Sequence, residues 1–157
     1  MKKVYIIAAI SALLDQIIKY IFELNLNSGE SITIIPNFFS FTLIGNTGAA
    51  FSILNSNTIF LIIISLVALN LIYIYFLKGK ELKLKEEVTF GILTGGILGN
   101  LVDRIFKGEV IDYLDFTIFS YNFPIFNLAD IMIVLSVIYI ALIMFRGEKN
   151  EDKSRRK

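Results

Sequence analysis

One aspartate stands where a carboxylate is costly, at the edge of lipid, and a second lies upstream of it. Asp130 ends the stretch "FNLAD" at the mouth of an apolar run that starts at Ile131, three residues after Asn127, and Asp112 lies upstream in "VIDY". Two carboxylates held close titrate as a pair: repulsion keeps a proton on one while the other stays ionised. The ionised member can take a proton from water, and the protonated one can polarise a carbonyl and later protonate a leaving amine. That is aspartic-peptidase chemistry. The chain has no cysteine and no histidine. Thiol nucleophiles, a histidine base, disulfides and a usual zinc site are therefore excluded, and neither metal nor cofactor is expected.

The elements that must position these groups are membrane helices. Of 157 residues 55% are hydrophobic, too apolar for a soluble domain of this length. Four stretches can cross a hydrocarbon core of about 30 Å. They run roughly Val4–Phe22, Thr58–Leu77, Val88–Phe106 and Leu128–Phe145. The chain reads as one membrane domain, 1–157, all-α with a small β element. Between the first two spans, "SITIIPN" and "FSFTL" alternate polar and apolar residues and predict short strands around a Pro36–Asn37 turn, an outward β-cradle. Between the third and fourth spans an outer loop or short helix is expected.

Basic residues give the orientation. Lys2 and Lys3 precede the first span; Lys78, Lys80, Lys83 and Lys85 separate the second and third; Arg146, Lys149, Lys153, Arg155, Arg156 and Lys157 form a tail at 146–157. The positive-inside rule places both termini and the Lys78–Glu87 loop in the cytoplasm. The basic start before an apolar run resembles a signal peptide, but cleavage would remove the first span, so retention is expected. Net charge is +1, which gives no case for nucleic acid.

In that orientation the polar groups converge near the outer surface. Asp15 and Lys19 share a face of the first helix, four apart; Asn100 and Asp103 share a face of the third, with Arg104 beside them; Asp112 and Asp130 enter from the same end. Each has a structural explanation too. Asp15–Lys19 suits an intrahelical ion pair, and Gly91, Gly95 and Gly99 suit a close-packing seam. Asn127 and Asp130 have the spacing of a capping box, Asp112 suits a solvated loop, and Arg104 and Lys107 can snorkel. Convergence of all of them is what these explanations leave over.

The motifs resemble, in order and over nearly the whole chain, those of the bacterial lipoprotein signal peptidases, or signal peptidase II. They are "DQIIK" (Asp15–Lys19), "NTGAAF" (Asn46–Phe51), "GGILGNLVDR" (Gly95–Arg104), "VIDY" (Val110–Tyr113) and "FNLAD" (Phe126–Asp130). Ile18 departs from the pattern, standing where the family often has a hydroxyl residue. The resemblance implies a four-helix membrane bundle with an outward β-cradle. It implies an endopeptidase that cuts prolipoproteins before a diacylglyceryl-modified cysteine, with Asp112 and Asp130 as the catalytic dyad. Asn100 and Asn127 would orient the dyad. Asp15, Lys19, Asn46, Asp103 and Arg104 would shape the pocket and hold substrate. Gly48, Ala49 and Ala50 would offer a small-residue wall that a peptide backbone can approach. The implied partners are lipid-modified prolipoproteins and membrane lipid. The implied location is the bacterial cytoplasmic membrane, with the site near its outer face and the enzyme as a monomer.

Two other readings compete. A transporter or channel subunit could use Asp15, Lys19, Asp103 and Asp130 as a relay, but the cytoplasmic halves of the spans carry no charge to continue it. A serine–lysine peptidase would need a serine near Lys19. Ser11 is about 12 Å away along the helix, and nothing marks Ser52.

Overall fold

The computed structural model describes residues 1–48 and 57–155, with side chains as far as Phe145. Ala49 and Ala50 of the small-residue wall, Ser52 and the side chains of the basic tail lie outside the described residues. The helices are α1 (Lys2–Asn25), α2 (Thr58–Ile72, continued by a π-helical turn over Tyr73–Leu77), α3 (Leu84–Phe106) and α4 (Leu128–Arg155). In each, a stretch is long and apolar enough to cross a membrane: Lys2–Asn25, Thr58–Leu77, Leu84–Phe106 and Leu128–Phe145.

The least apolar helix is the most enclosed. α3 packs against α1, α2 and α4, and its Asn100 and Asp103 are buried among those partners. Small residues permit the approach. A methyl group on Gly91 would meet Ile7, one on Gly95 would meet Ser11, and one on Gly99 would collide with the Asp15 carboxylate. α1 and α3 therefore lie close enough for Asp15 and Lys19 to reach across. α2 is largely exposed, as a helix facing lipid would be. Val4, Leu77, Phe90 and Leu93 form an apolar core at the end of the bundle where α1 begins.

Four antiparallel strands lie at the other end, in the order β1 (Ser31–Ile35), β2 (Phe39–Asn46), β3 (Val110–Ile118) and β4 (Tyr121–Asn122). The predicted hairpin is present, with Asn37 at φ 59° in its turn. The connection between α3 and α4 is not the loop or short helix expected; it supplies β3 and β4. The reason is non-local. A two-stranded hairpin is marginal alone, and β3 covers the free edge of β2, pairing Phe39 with Phe116 and Ile44 with Asp112.

Alternation sorts the sheet into two faces. Phe39, Phe41, Leu114 and Phe116 share one face with Asp112, and the rings of Phe39 and Phe116 stack 4.6 Å apart. The other face is a polar ladder. Ser31 lies 2.9 Å from Thr42, whose hydroxyl donates to Asp115 at 2.7 Å.

Candidate active site

The ends of α1, α3 and α4 and the start of β3 bring the polar residues into two adjoining groups. The first is a buried ion cluster. Lys19 is 0% exposed, and its ammonium reaches Asp15 Oδ2 and Asp103 Oδ2, both at 2.8 Å, and Asn100 Oδ1 at 2.9 Å. Two carboxylates and an amide oxygen thus surround the buried ammonium. Each carboxylate also holds backbone: Asp15 Oδ1 accepts the Ala129 amide at 3.0 Å, and Asp103 Oδ2 accepts the Ile111 amide at 3.3 Å. The cluster thus ties α1 to the first turn of α4 and α3 to the start of β3.

The second group holds Asp112 and Asp130, and asparagines frame both. Asp112 Oδ1 accepts Asn127 Nδ2 at 2.6 Å, and Asp112 Oδ2 accepts Asn46 Nδ2 at 2.8 Å. Asp130 Oδ1 accepts Asn100 Nδ2 at 2.8 Å. Its other oxygen takes the Asn127 amide N–H at 3.2 Å, while Asn127 Oδ1 accepts the Asp130 amide at 3.0 Å. This reciprocal pair is a capping box at the start of α4. The structural and chemical explanations of Asn127 and Asp130 are therefore compatible. The cap uses one carboxylate oxygen and fixes the plane of the other, and the Asn127 side-chain amide is left to reach Asp112.

Asp112 is 1% exposed, and Asp130 is half-buried. Burial, reinforced by the nearby charge of Asp130, pushes the Asp112 carboxyl up to about 7, against the opposing pull of its Asn46 and Asn127 bonds.

The remaining residues sit around this pair. Asn46 Oδ1 accepts the Gly48 amide at 2.9 Å, and Arg104 donates to the Gly48 carbonyl at 3.2 Å, so both hold Gly48, and Asn46 itself reaches Asp112. Arg104 also lies within electrostatic reach of Asp130 and Asp112. Three participants were given no place in the site from the sequence. Gln16 donates to Asp103 Oδ1 at 3.1 Å and to the Gly99 carbonyl at 3.0 Å. The Tyr113 hydroxyl accepts the Leu128 amide at 3.1 Å while its ring stacks on Phe22; burial raises this phenol above its ordinary range. Lys107, read as snorkelling, instead pairs with Glu23 at 2.7 Å and Asp103 at 3.4 Å. A glutamine inside a span was a visible signal for the first; the tyrosine stood inside "VIDY" without marking a role, and the lysine had no signal beyond its place after the third span.

Fold and site define a helical, multi-span membrane protein whose polar chemistry is gathered at one end of its bundle around paired aspartates. Comparison with known proteins makes this specific. The family model described as signal peptidase (SPase) II matches residues 7–146. Lipoprotein signal peptidases of Staphylococcus aureus strains JH9 and Newman are each 36% identical over 148 residues, 94% of this chain and 91% of theirs. Two solved structures, described as bacterial membrane enzymes determined by the in meso method, share the fold. One superposes with a TM-score of 0.86 at 35% identity, covering 96% of this chain and 92% of that one. The other gives 0.80 at 36%, covering 92% and 93%. The chain belongs to the signal peptidase II family. It is accordingly a peptidase, a hydrolase of lipoprotein precursors, and a multi-pass bacterial membrane protein.

Proposed function

We propose that the chain cleaves prolipoproteins before a diacylglyceryl-modified cysteine, with Asp112 and Asp130 as a dyad that activates water. The observation that carries this reading is the framing of both carboxylates by amides, with Asn127 bonded to each. Amide donors orient a carboxylate without neutralising it, so the pair is left to share a proton. Asp112, enclosed and with its raised pKa, is the member that holds it. Asp130, half-open, faces arriving water.

The steps balance on these two residues. The Asp130 carboxylate takes a proton from water as the oxygen attacks the scissile carbonyl, and Asp112 gives its proton to the carbonyl oxygen. The resulting diol collapses by returning that proton to Asp112 as the carbon–nitrogen bond breaks, and Asp130 protonates the departing amine of the cysteine. Both aspartates finish as they began. Asn100 and Asn127 fix the planes of the carboxylates. The ammonium of Lys19, bonded to Asn100 Oδ1, sharpens the amide that donates to Asp130. On this reading Asp15, Lys19 and Asp103 position the site from behind, and Asn46, Gly48 and Arg104 lie where substrate arrives.

A relay across the membrane has less support: at the other end of the bundle, among the described residues, the buried core is Val4, Leu77, Phe90 and Leu93. The distribution of lysine and arginine favours cytoplasmic termini and a site at the outer face, and we read the chain as one domain that works as a monomer among lipids. The test is single-turnover cleavage of a diacylglyceryl-modified prolipoprotein in detergent, beside the unmodified precursor. Asp130→Asn, which keeps the capping geometry, retains folding and substrate binding but loses turnover. Near-normal cleavage by a folded Asp130→Asn enzyme returns the residue to a purely structural role. Burial of acyl CH₂ groups, worth about 0.8 kcal/mol each, makes the unmodified precursor a very poor substrate.

A further inference from the structure

The sheet has an apolar overhang. The alternation that turns Asp112 towards α4 puts Ile118 and Tyr121 on that same face, out at the far end of β3 and β4, and both are open to solvent at 42% and 59%. On β1, Ile32 pairs with Phe41 and so lies on the same face, half exposed. The opposite face carries Thr117, Asn122 and Asp115. A sheet sorted this way has one side made for water and one for an apolar medium.

The turn joining β3 to β4 sharpens the point. Its two central residues, Phe119 and Ser120, have φ of 48° and 64°. A two-residue turn with both centres in this left-handed region favours Asn-Gly. Here the first centre is a phenylalanine whose side chain is entirely exposed. Backbone strain and a bare aromatic ring coincide at one position, which calls for something outside the chain to receive the ring. Ile105 and Phe106, at the end of α3 just before β3, are also exposed, and no lysine or arginine occurs between Lys107 and Arg146.

We propose that the β3–β4 tip, with Phe119 at its apex flanked by Ile118 and Tyr121, dips into the interfacial layer of the membrane leaflet at the site's end of the bundle and pins strand β3, and with it Asp112, at that depth. The occupant is a lipid surface. The helices of this chain are long and apolar enough to cross a membrane, the segment that carries the tip holds no lysine or arginine, and aromatic rings are the side chains that settle at the interfacial level. The inference needs only that the helices span the membrane; it does not depend on the two-aspartate mechanism.

The sequence provides a clean test, because the chain has no tryptophan. Phe119→Trp places a single reporter at the tip, in proteoliposomes of phosphatidylglycerol and phosphatidylcholine. The expected result is blue-shifted emission, quenched by lipids brominated near the headgroup end of their chains and poorly reached by iodide. Emission as in water, reached by iodide and untouched by brominated lipid, overturns the proposal. Shielding from iodide that weakens as protein is diluted in the bilayer also overturns it, since a second copy would then be the cover. A functional arm separates anchoring from folding. Phe119→Gln should leave the unfolding temperature and turnover in detergent unchanged, yet lower kcat/KM in vesicles by about tenfold, the weight of partly burying one phenylalanine. Equal loss in detergent and vesicles, or no loss in either, removes the pinning of Asp112.

Discussion

Two pairs of aspartates lie side by side in this molecule, and they are held in opposite ways. Asp15 and Asp103 share the buried ammonium of Lys19. Asp112 and Asp130 are met by side-chain and backbone amides, and no ion pair joins either of them to a lysine or arginine among the described residues. A cation fixes charge and gives a rigid joint between helices. Amides fix direction and leave charge free to change. The first arrangement suits a foundation, the second a group that must gain and lose a proton. Asn100 links them, taking Lys19 on its oxygen and giving its amide to Asp130.

The contrast breaks most sharply under substitution by asparagine. Asp112→Asn should fold and bind substrate but lose turnover on the order of 10⁴-fold, as when one member of a cooperating unit is deleted, and the double variant with Asp130→Asn should be scarcely worse. Asp103→Asn should instead lower thermal stability and reduce activity only in step with folding. Comparable activity of the two well-folded single variants would erase the distinction.

Removing the cation comes next in size. Lys19→Met leaves buried Asp15 without a counter-ion and Asp103 with only the longer contact to Lys107, and should cost about 3–5 kcal/mol of stability. Replacing Lys19, Asp15 and Asp103 together by apolar residues of similar volume should recover part of that loss. A denaturation series on the three proteins in one detergent decides it; an unchanged midpoint for Lys19→Met would mean the cluster is no foundation.

The pH dependence sharpens the other side. Asp112 titrates near 7 in the folded protein, against an ordinary value of 3.8. Its protonated form, the one the proposed mechanism uses, is lost as pH rises through about 7, so turnover should fall on that alkaline limb. The stability contribution has the same sign. Between 3.8 and about 7 the folded chain keeps a proton that the unfolded chain has released, so this residue's contribution declines as pH rises across that window. Asp112→Asn should flatten the decline. A stability curve of identical shape for both proteins would contradict it.

The smallest effect belongs to Tyr113→Phe. It removes the hydroxyl that accepts the Leu128 amide while keeping the stack on Phe22, and should cost about 1 kcal/mol with a modest loss of kcat.

Much of this was legible before any coordinates. Span lengths and the alternation in "SITIIPN" and "FSFTL" depend on local pattern, and α1 to α4 and β1 to β2 follow it. β3 was missed because its reason for being a strand is β2, some seventy residues away in sequence. Among the site residues, spacing told which side chains share a face of α1 or α3 but not what that face would meet. Asp15, Lys19 and Asp103, read as shaping a pocket and holding substrate, are fully enclosed and engage one another. The capping spacing of Asn127 and Asp130 was visible, but it could not reveal that the same asparagine would turn its amide to Asp112.

That double duty of Asn127 has a bearing on biogenesis. One residue closes the first turn of α4 and spans the gap to Asp112. On the two-aspartate reading, a chain whose last helix has not yet docked has its pair of acids apart, and any fraying of that turn separates them again. On that reading, completing its own assembly does for this peptidase what removing an inhibitory peptide does in a zymogen: it brings the two acids together.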